Sequence, residues 1–332
     1  MKIADIARLA GVSKATVSSV LNGKAEQYRI SQKTQEKVFK VVREHDYQPN
    51  HSAASLRSGK SHSIGLIVPD FENRSYLRIA KRLEALARAE GYQLIIASSD
   101  DQPETELESA RTLVSRGVDA LLVSTSLTDS SDYLSILNRG TPVIAIDRGL
   151  SDQFSNVISD DYQGALQLTN ALPLANLNSV VLIGALPQLS VSQERERGFR
   201  AAVSGQTRLI PSIYYGERFD LESGMAQFRN AIADHDGLPD AVITTSYALM
   251  EGVIEVLQSD FREALFQSPV CALGTFGNSR LLDFLPMPVV SLPQQYEQIA
   301  EAAWSLARQA IESSYQPQKV IIRRKLNRRG VA

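Results

Sequence analysis

The chain has 332 residues, 22% of them charged, one cysteine, four scattered histidines and a formal net charge of −2. One cysteine excludes a disulfide framework and a thiolate metal site, and the histidines have no ligand spacing, so no metal or other cofactor is expected. The length allows two or three domains with sizeable cores.

The amino terminus is polar and amphipathic and lacks the apolar core of a signal peptide. No later apolar run is long enough to span a bilayer, so a cytoplasmic protein without a membrane partner is expected. The net charge conceals a division. Residues 1–60 hold 11 Lys and Arg against 5 Asp and Glu, and the remainder holds 24 against 32. A basic head on an acidic body predicts that only the head meets a polyanion.

Ile3, Ile6, Ala7 and Ala10 recur at helical spacing. Gly11 follows, where a helix end favours a left-handed residue. Ser13 is placed as an N-cap, and Val17, Val20 and Leu21 mark the buried side of a second helix. Helix, short glycine turn, helix is the helix-turn-helix pattern. The opposite side of the second helix carries Lys14, Ala15, Ser18, Ser19 and Asn22, small or polar as a face pressed into a DNA groove must be. A plain helical hairpin is the bland alternative. A loop follows, from which Tyr28 and Arg29 can reach a phosphate. Ser31 starts a third helix with Val38, Val41 and Val42 on one face, and it closes a head over residues 1–48.

Residues 49–61 are small, polar and glycine-containing, which reads as a hinge. Ala53, Ala54, Leu56 and Arg57 can form a short helix, marginal unless packed against a partner helix and DNA. Leu56 has no core to join. It suits a wedge between base steps in the minor groove, or else it packs on the body from a tether.

From residue 63 apolar strands alternate with amphipathic helices, and a last strand is expected over 320–326. The alternation implies parallel sheets covered on both faces. It divides into two lobes: 62–160 with about 293–319, and 161–292 with about 320–332. Ligands in such folds sit beyond the carboxyl ends of the strands. The candidates are Asp147 and Arg148 at the end of one strand, Ser246 at the end of another, Gly277 and Asn278 after a third, Asn73, Arg74 and Ser75 at the start of the first body helix, and Arg195 in the helical QERERGF segment. A second guanidinium at Arg148 suits a phosphate, which arginine grips bidentately. Ion pairs of Arg148 and Arg195 with Asp147 and Glu194 are the alternative use. The adjacent carboxylates Asp160 and Asp161 read as helix capping rather than catalysis.

The segments IADIARLAGVSKATVSSVLNG, YQPN, AASLRSGKS, IGLIVPDFEN, PVIAIDR, ISDDYQGA, ERGF, TTSYALMEGV and LPQQYEQIAEAA resemble the LacI-type bacterial repressors over essentially the whole chain. NGKAEQYRIS, GYQLIIASSDDQPETE, GALPQLSVS, TFGNSRLLDFLP and RRKLNRRGV are similar to the fructose-repressor branch, the first of them shared with sucrose repressors. The resemblance implies an α/β chain: a three-helix head, a hinge helix, and two doubly wound parallel-sheet subdomains like periplasmic binding proteins. It implies a bacterial, nucleoid-associated regulator that grips a pseudo-palindromic operator as a homodimer. A leucine-heptad tail is absent, so a dimer is the base expectation and a tetramer the alternative.

By the same resemblance Lys14, Ala15 and Ser19 read base edges, while Ser13, Thr16, Ser18, Asn22 and Arg29 lie near phosphates. Asn50, Ala53 and Leu56 serve the hinge, with Leu56 intercalating. Asn73, Ser75, Asp147, Arg148, Arg195, Ser246 and Asn278 face the effector. That effector is fructose 1-phosphate, with fructose 1,6-bisphosphate as a second ligand. Ser19 departs from the arginine of many relatives and discriminates bases less well. An enzyme is disfavoured by the lack of a G-x-G-x-x-G or Walker loop and of a metal cluster. A sugar-binding transport protein would share the body but not the basic head.

Overall fold

The computed structural model describes residues 1–47, 59–263 and 271–330. The hinge positions Asn50, Ala53 and Leu56 lie outside the described residues. The chain divides into two units, Met1–Ser61 and His62–Ala332.

Among its described residues the first unit holds three helices: α1 (Ile3–Ala10), α2 (Lys14–Leu21) and α3 (Gln32–Glu44). Gly11 takes the left-handed conformation at φ 67°, and its N–H closes onto the last turn of α1. Ser13 caps α2, its hydroxyl accepting from the Thr16 amide at 3.0 Å. Ser31 caps α3 in the same way. Ile6, Ala7, Ala10, Val17, Val20, Ala25, Val38 and Val41 form the core. Apart from Ala25, which anchors the α2–α3 loop, these are positions singled out by helical spacing.

The second unit holds two six-stranded sheets. The first contains β1 (Ser63–Val68), β2 (Gln93–Ser98), β3 (Ala120–Val123), β4 (Val143–Asp147), β5 (Ser155–Ser159) and β11 (Lys319–Ile322), ordered β11-β5-β4-β3-β1-β2. The second contains β6 (Ser179–Ala185), β7 (Ile210–Gly216), β8 (Ala241–Thr244), β9 (Ala272–Phe276), β10 (Val289–Leu292) and β12 (Asn327–Arg329), ordered β12-β10-β9-β8-β6-β7. All pairings are parallel except β10 with β12. Helices cover both faces of each sheet. Ile79 and Trp304 pack on one face of the first sheet, with Leu113 and Tyr133 on the other. Phe228 and Val253 pack on one face of the second sheet, with Leu168 and Phe199 on the other. Strands enclosed in this way read as unbroken apolar runs.

The chain crosses between the lobes three times: after β5, after β10 and after β11. Sequence pattern put the last crossing near residue 320. It falls later, because Lys319–Ile322 pairs in parallel with β5 and belongs to the first sheet. The expected single strand over 320–326 is therefore two short strands, one in each lobe.

Candidate functional sites

In the head, Lys14, Ala15, Thr16, Ser18 and Ser19 line one concave face together with Ile3, Tyr28 and Ile30. Helix periodicity produces this arrangement, because Val17 and Val20 turn into the core. Lys14, Ala15, Asn22, Tyr28 and Arg29 are exposed. The Asn22 amide donates to the Ser18 hydroxyl at 3.2 Å. Arg29 stands in the left-handed region at φ 50°, at the end of the loop that follows α2. The first turn of α2 has no acidic residue, so its positive end is left free for an anion.

In the body, a small open cleft between the lobes offers about 60 Å³ of space. Asn73, Ser75, Tyr76, Asp147 and Gln294 line it with Arg195, Thr245, Ser246, Tyr247, Phe276, Gly277 and Arg324. Five of the effector candidates thus come together: Asn73, Ser75, Asp147, Arg195 and Ser246. Asn73 caps the Arg74–Ala89 helix and accepts from the Ser75 amide at 3.0 Å. Ser246 caps the Tyr247–Asp260 helix. Two helix starts, one from each lobe, therefore face the cavity.

Asp147 ends β4 with φ 63°, a conformation few residues other than glycine adopt. The strain is held by side-chain bonds. Tyr76 donates its hydroxyl to Asp147 Oδ2 at 2.8 Å, Ser124 donates to Tyr76 at 3.1 Å, and Gln294 Nε2 donates to Asp147 Oδ1. Burial, reinforced by the Asp147 charge, raises the Tyr76 pKa above the ordinary tyrosine range. Tyr76 therefore stays a donor at any working pH.

Arg195 donates to Asp161 through Nε at 2.9 Å and to the Thr245 carbonyl through Nη1 at 2.6 Å. Its guanidinium stands 4.4 Å from the centre of the Phe276 ring. Arg324 approaches the same ring and lies 3.5 Å from Asp161 and 3.8 Å from Asp147. Burial and the neighbouring Arg195 lower the Arg324 pKa, while Asp161 and Asp147 oppose the fall. The four charges form one buried cluster, two acids against two bases.

Each crossing segment supplies one residue to this group: Asp161 after the first, which pairs with Arg195 and Arg324, and Gln294 in the second and Arg324 in the third, which reach Asp147. Sequence reading missed all three as site residues. Asp160 caps its helix as expected, accepting from the Gln163 amide, but Asp161 is the buried partner of Arg195. Glu194, the partner considered for the arginines, pairs with Arg197 instead.

Arg148 and Asn278 stand apart from the cavity lining. Arg148 is buried against Asp101, which it pairs with, and donates to the Ser126 hydroxyl at 3.2 Å. Its guanidinium lies 5.6 Å from the Phe219 ring, on the other lobe. Burial lowers the Arg148 pKa, but Tyr76, Asp101 and Asp147 outweigh it and hold the group charged. Asn278 accepts from Arg329 at 2.8 Å and from Ser291 at 3.2 Å. The chain leaves the extended conformation at Asp147 and Gly277, with φ of 63° and 88°, and the residue after each, Arg148 and Asn278, is off the cavity wall. Among the described residues no cluster of His, Cys, Asp or Glu could hold a metal ion, and no helix is long and apolar enough to cross a membrane.

A helix-turn-helix head on the same chain as a two-lobed α/β body with a charged cavity defines a ligand-responsive DNA-binding regulator. Residues 2–50 match the bacterial regulatory proteins of the lacI family, and residues 64–313 match the periplasmic binding protein domain. The sequence is 50% identical to the fructose operon regulatory protein of Vibrio cholerae serotype O1, over 98% of this chain and 99% of that one. It is 43% identical to the catabolite repressor/activator of Escherichia coli K12, over 100% and 99%. The Cra transcriptional dual regulator from Pseudomonas putida, solved in complex with fructose 1-phosphate, is 44% identical with a TM-score of 0.76, covering 81% of this chain and 98% of that one. The chain belongs to the lacI family of bacterial regulatory proteins.

Proposed function

We propose that this chain is a transcription regulator of sugar metabolism genes that binds a pseudo-palindromic operator as a homodimer and is released by fructose 1-phosphate. The observation that carries the reading is the buried cluster of Asp147, Asp161, Arg195 and Arg324, set in a cavity between two lobes that three crossing segments join. Similarity to a protein solved with fructose 1-phosphate supports the choice of effector. The cavity offers carboxylates for sugar hydroxyls and guanidinium groups for a phosphate.

Mechanism follows as linkage. A ligand that touches both lobes favours one lobe arrangement over the other, and the preference can shift only what its differential affinity allows. Arg148, with Phe219 from the opposite lobe against it, is the contact that feels this change. On the DNA, lysines and arginines of the head supply salt-dependent affinity. Lys14, Ala15 and Ser19 face base edges, while Ser13, Thr16, Ser18, Asn22 and Arg29 fix the register on phosphates. Asn50, Ala53 and Leu56 belong to the hinge, where Leu56 wedges the minor groove.

Selection from a random duplex pool, with and without fructose 1-phosphate, tests the whole reading. An inverted-repeat duplex is enriched and then released by the sugar phosphate. Enrichment of no duplex, or a duplex retained at saturating fructose 1-phosphate, refutes it. In a gel shift, Leu56→Ala weakens specific binding, and unchanged operator affinity in that variant refutes the wedge.

A further inference from the structure

Among the described residues, seven buried side-chain polar atoms have no hydrogen-bond partner. Three of them, Thr245 Oγ1, Tyr247 Oη and Arg324 Nε, belong to residues that line the cavity between the lobes. Buried donors are almost always satisfied, so orphans gathered in one cavity point to a ligand that satisfies them. An arginine Nε–H can only donate, and the two hydroxyls are free to donate. What is missing is an acceptor with several oxygens.

The surroundings favour an anion. Thr245 and Tyr247 flank the N-cap of the Tyr247–Asp260 helix, whose first turn has no acidic residue, so its positive end is uncompensated. Ser279 and Glu251 lie near the Tyr247 hydroxyl but outside hydrogen-bonding geometry. Arg324 holds its carboxylates only at 3.5 and 3.8 Å, so it can turn to a better partner. Gly277 makes room for this wall. A Cβ there would stand 2.8 Å from the Tyr247 Cβ, and its φ of 88° disfavours any other residue. The Asp147 carboxylate, 3.8 Å from Arg324, borders this wall and is the acceptor left for hydroxyls.

We propose that Thr245, Tyr247 and Arg324 receive the phosphoryl group of the effector, leaving its sugar hydroxyls to Asp147. Arg148 does not hold the phosphate. Its side chain is 5% exposed, committed to Asp101 and Ser126, and absent from the cavity wall. The assignment rests on reading the cavity as a sugar-phosphate site.

Calorimetry on the full chain tests it, with fructose 1-phosphate and unphosphorylated fructose as probes. Tyr247→Phe and Thr245→Val each remove one hydroxyl at nearly constant volume. Each lowers affinity for fructose 1-phosphate about tenfold, the loss of one hydrogen bond to a charged group. Affinity for fructose is retained and the thermal unfolding midpoint of the free chain holds or rises, because an unpaired buried hydroxyl is removed; a merely structural hydroxyl would lower it. Undiminished fructose 1-phosphate affinity in both variants overturns the assignment alone. A native chain that does not bind fructose 1-phosphate overturns the effector reading and the assignment together.

Discussion

The head and the body carry their candidate sites in opposite ways. Lys14 and Ala15 stand exposed on the outside of α2, and the core behind them is built from other residues. In the body, Asp161, Arg195 and Arg324 are themselves buried, and Arg324 reaches a carboxylate of each lobe, Asp147 and Asp161. A surface that reads DNA can therefore change residue by residue without endangering its own fold. A sensor whose charges balance inside the protein cannot. Binding and stability should separate in the head and travel together in the body.

The largest expected effect is Arg195→Ala. It leaves Asp161 buried with only Arg324, 3.5 Å away, to balance it, and breaking such a pair costs about 3–5 kcal/mol. Urea unfolding should show that loss in the body transition, and calorimetry should show no fructose 1-phosphate binding. An Arg195→Ala protein of native stability would break the contrast between the two regions. Arg148→Ala comes next. Its guanidinium lies off the cavity but bears on Phe219 of the other lobe, so the fructose 1-phosphate concentration for half-release should rise about tenfold or more. Operator affinity without sugar should be retained, as a titrated gel shift would show.

These two arginines also show what sequence could and could not reveal. The head was legible because its determinants are local: Gly11 and Ser13 at a turn, and apolar residues three and four apart. Strand ends located Asp147 and Ser246 because parallel sheets place ligands there, whereas Arg195, inside a helix, was picked out by the resemblance of ERGF. Asp161, Gln294 and Arg324 were illegible as site residues, since only the three lobe crossings bring such distant segments together. Arg324 falls within the strand expected over 320–326, from which no site residue was drawn. Arg148 was placed beside Asp147 in sequence, but the left-handed turn at Asp147 sends the two side chains apart.

A smaller effect sharpens the comparison within the head. Ser13 and Ser31 both cap helices, with hydroxyls that accept from Thr16 and Thr34 amides at 3.0 and 3.4 Å. Replacing either by alanine should cost about 1 kcal/mol of head stability, the usual value of an N-cap. Only Ser13→Ala should also weaken operator binding beyond that loss, because Ser13 starts the helix that enters the groove. Equal losses of operator affinity in the two variants would remove Ser13 from the phosphate contacts.

The smallest effect is the most diagnostic of how the head binds. Lys14 is exposed, and no acidic residue shares the first turn of its helix. Lys14→Ala should leave the unfolding midpoint unmoved, since surface substitutions away from caps and cores stay within about 0.5 kcal/mol. What changes is the DNA equilibrium. If Lys14 meets a phosphate, the log–log slope of operator affinity against salt falls by about 1, with equal losses on operator and random duplex. If it reads a base edge, as its place on the concave face with Ala15 and Ser19 favours, the slope holds and the loss falls on the operator alone, by about 1–3 kcal/mol. A shallower slope with specificity intact would move Lys14 from the reading set to the phosphate set, leaving base discrimination in the head to Ala15 and Ser19.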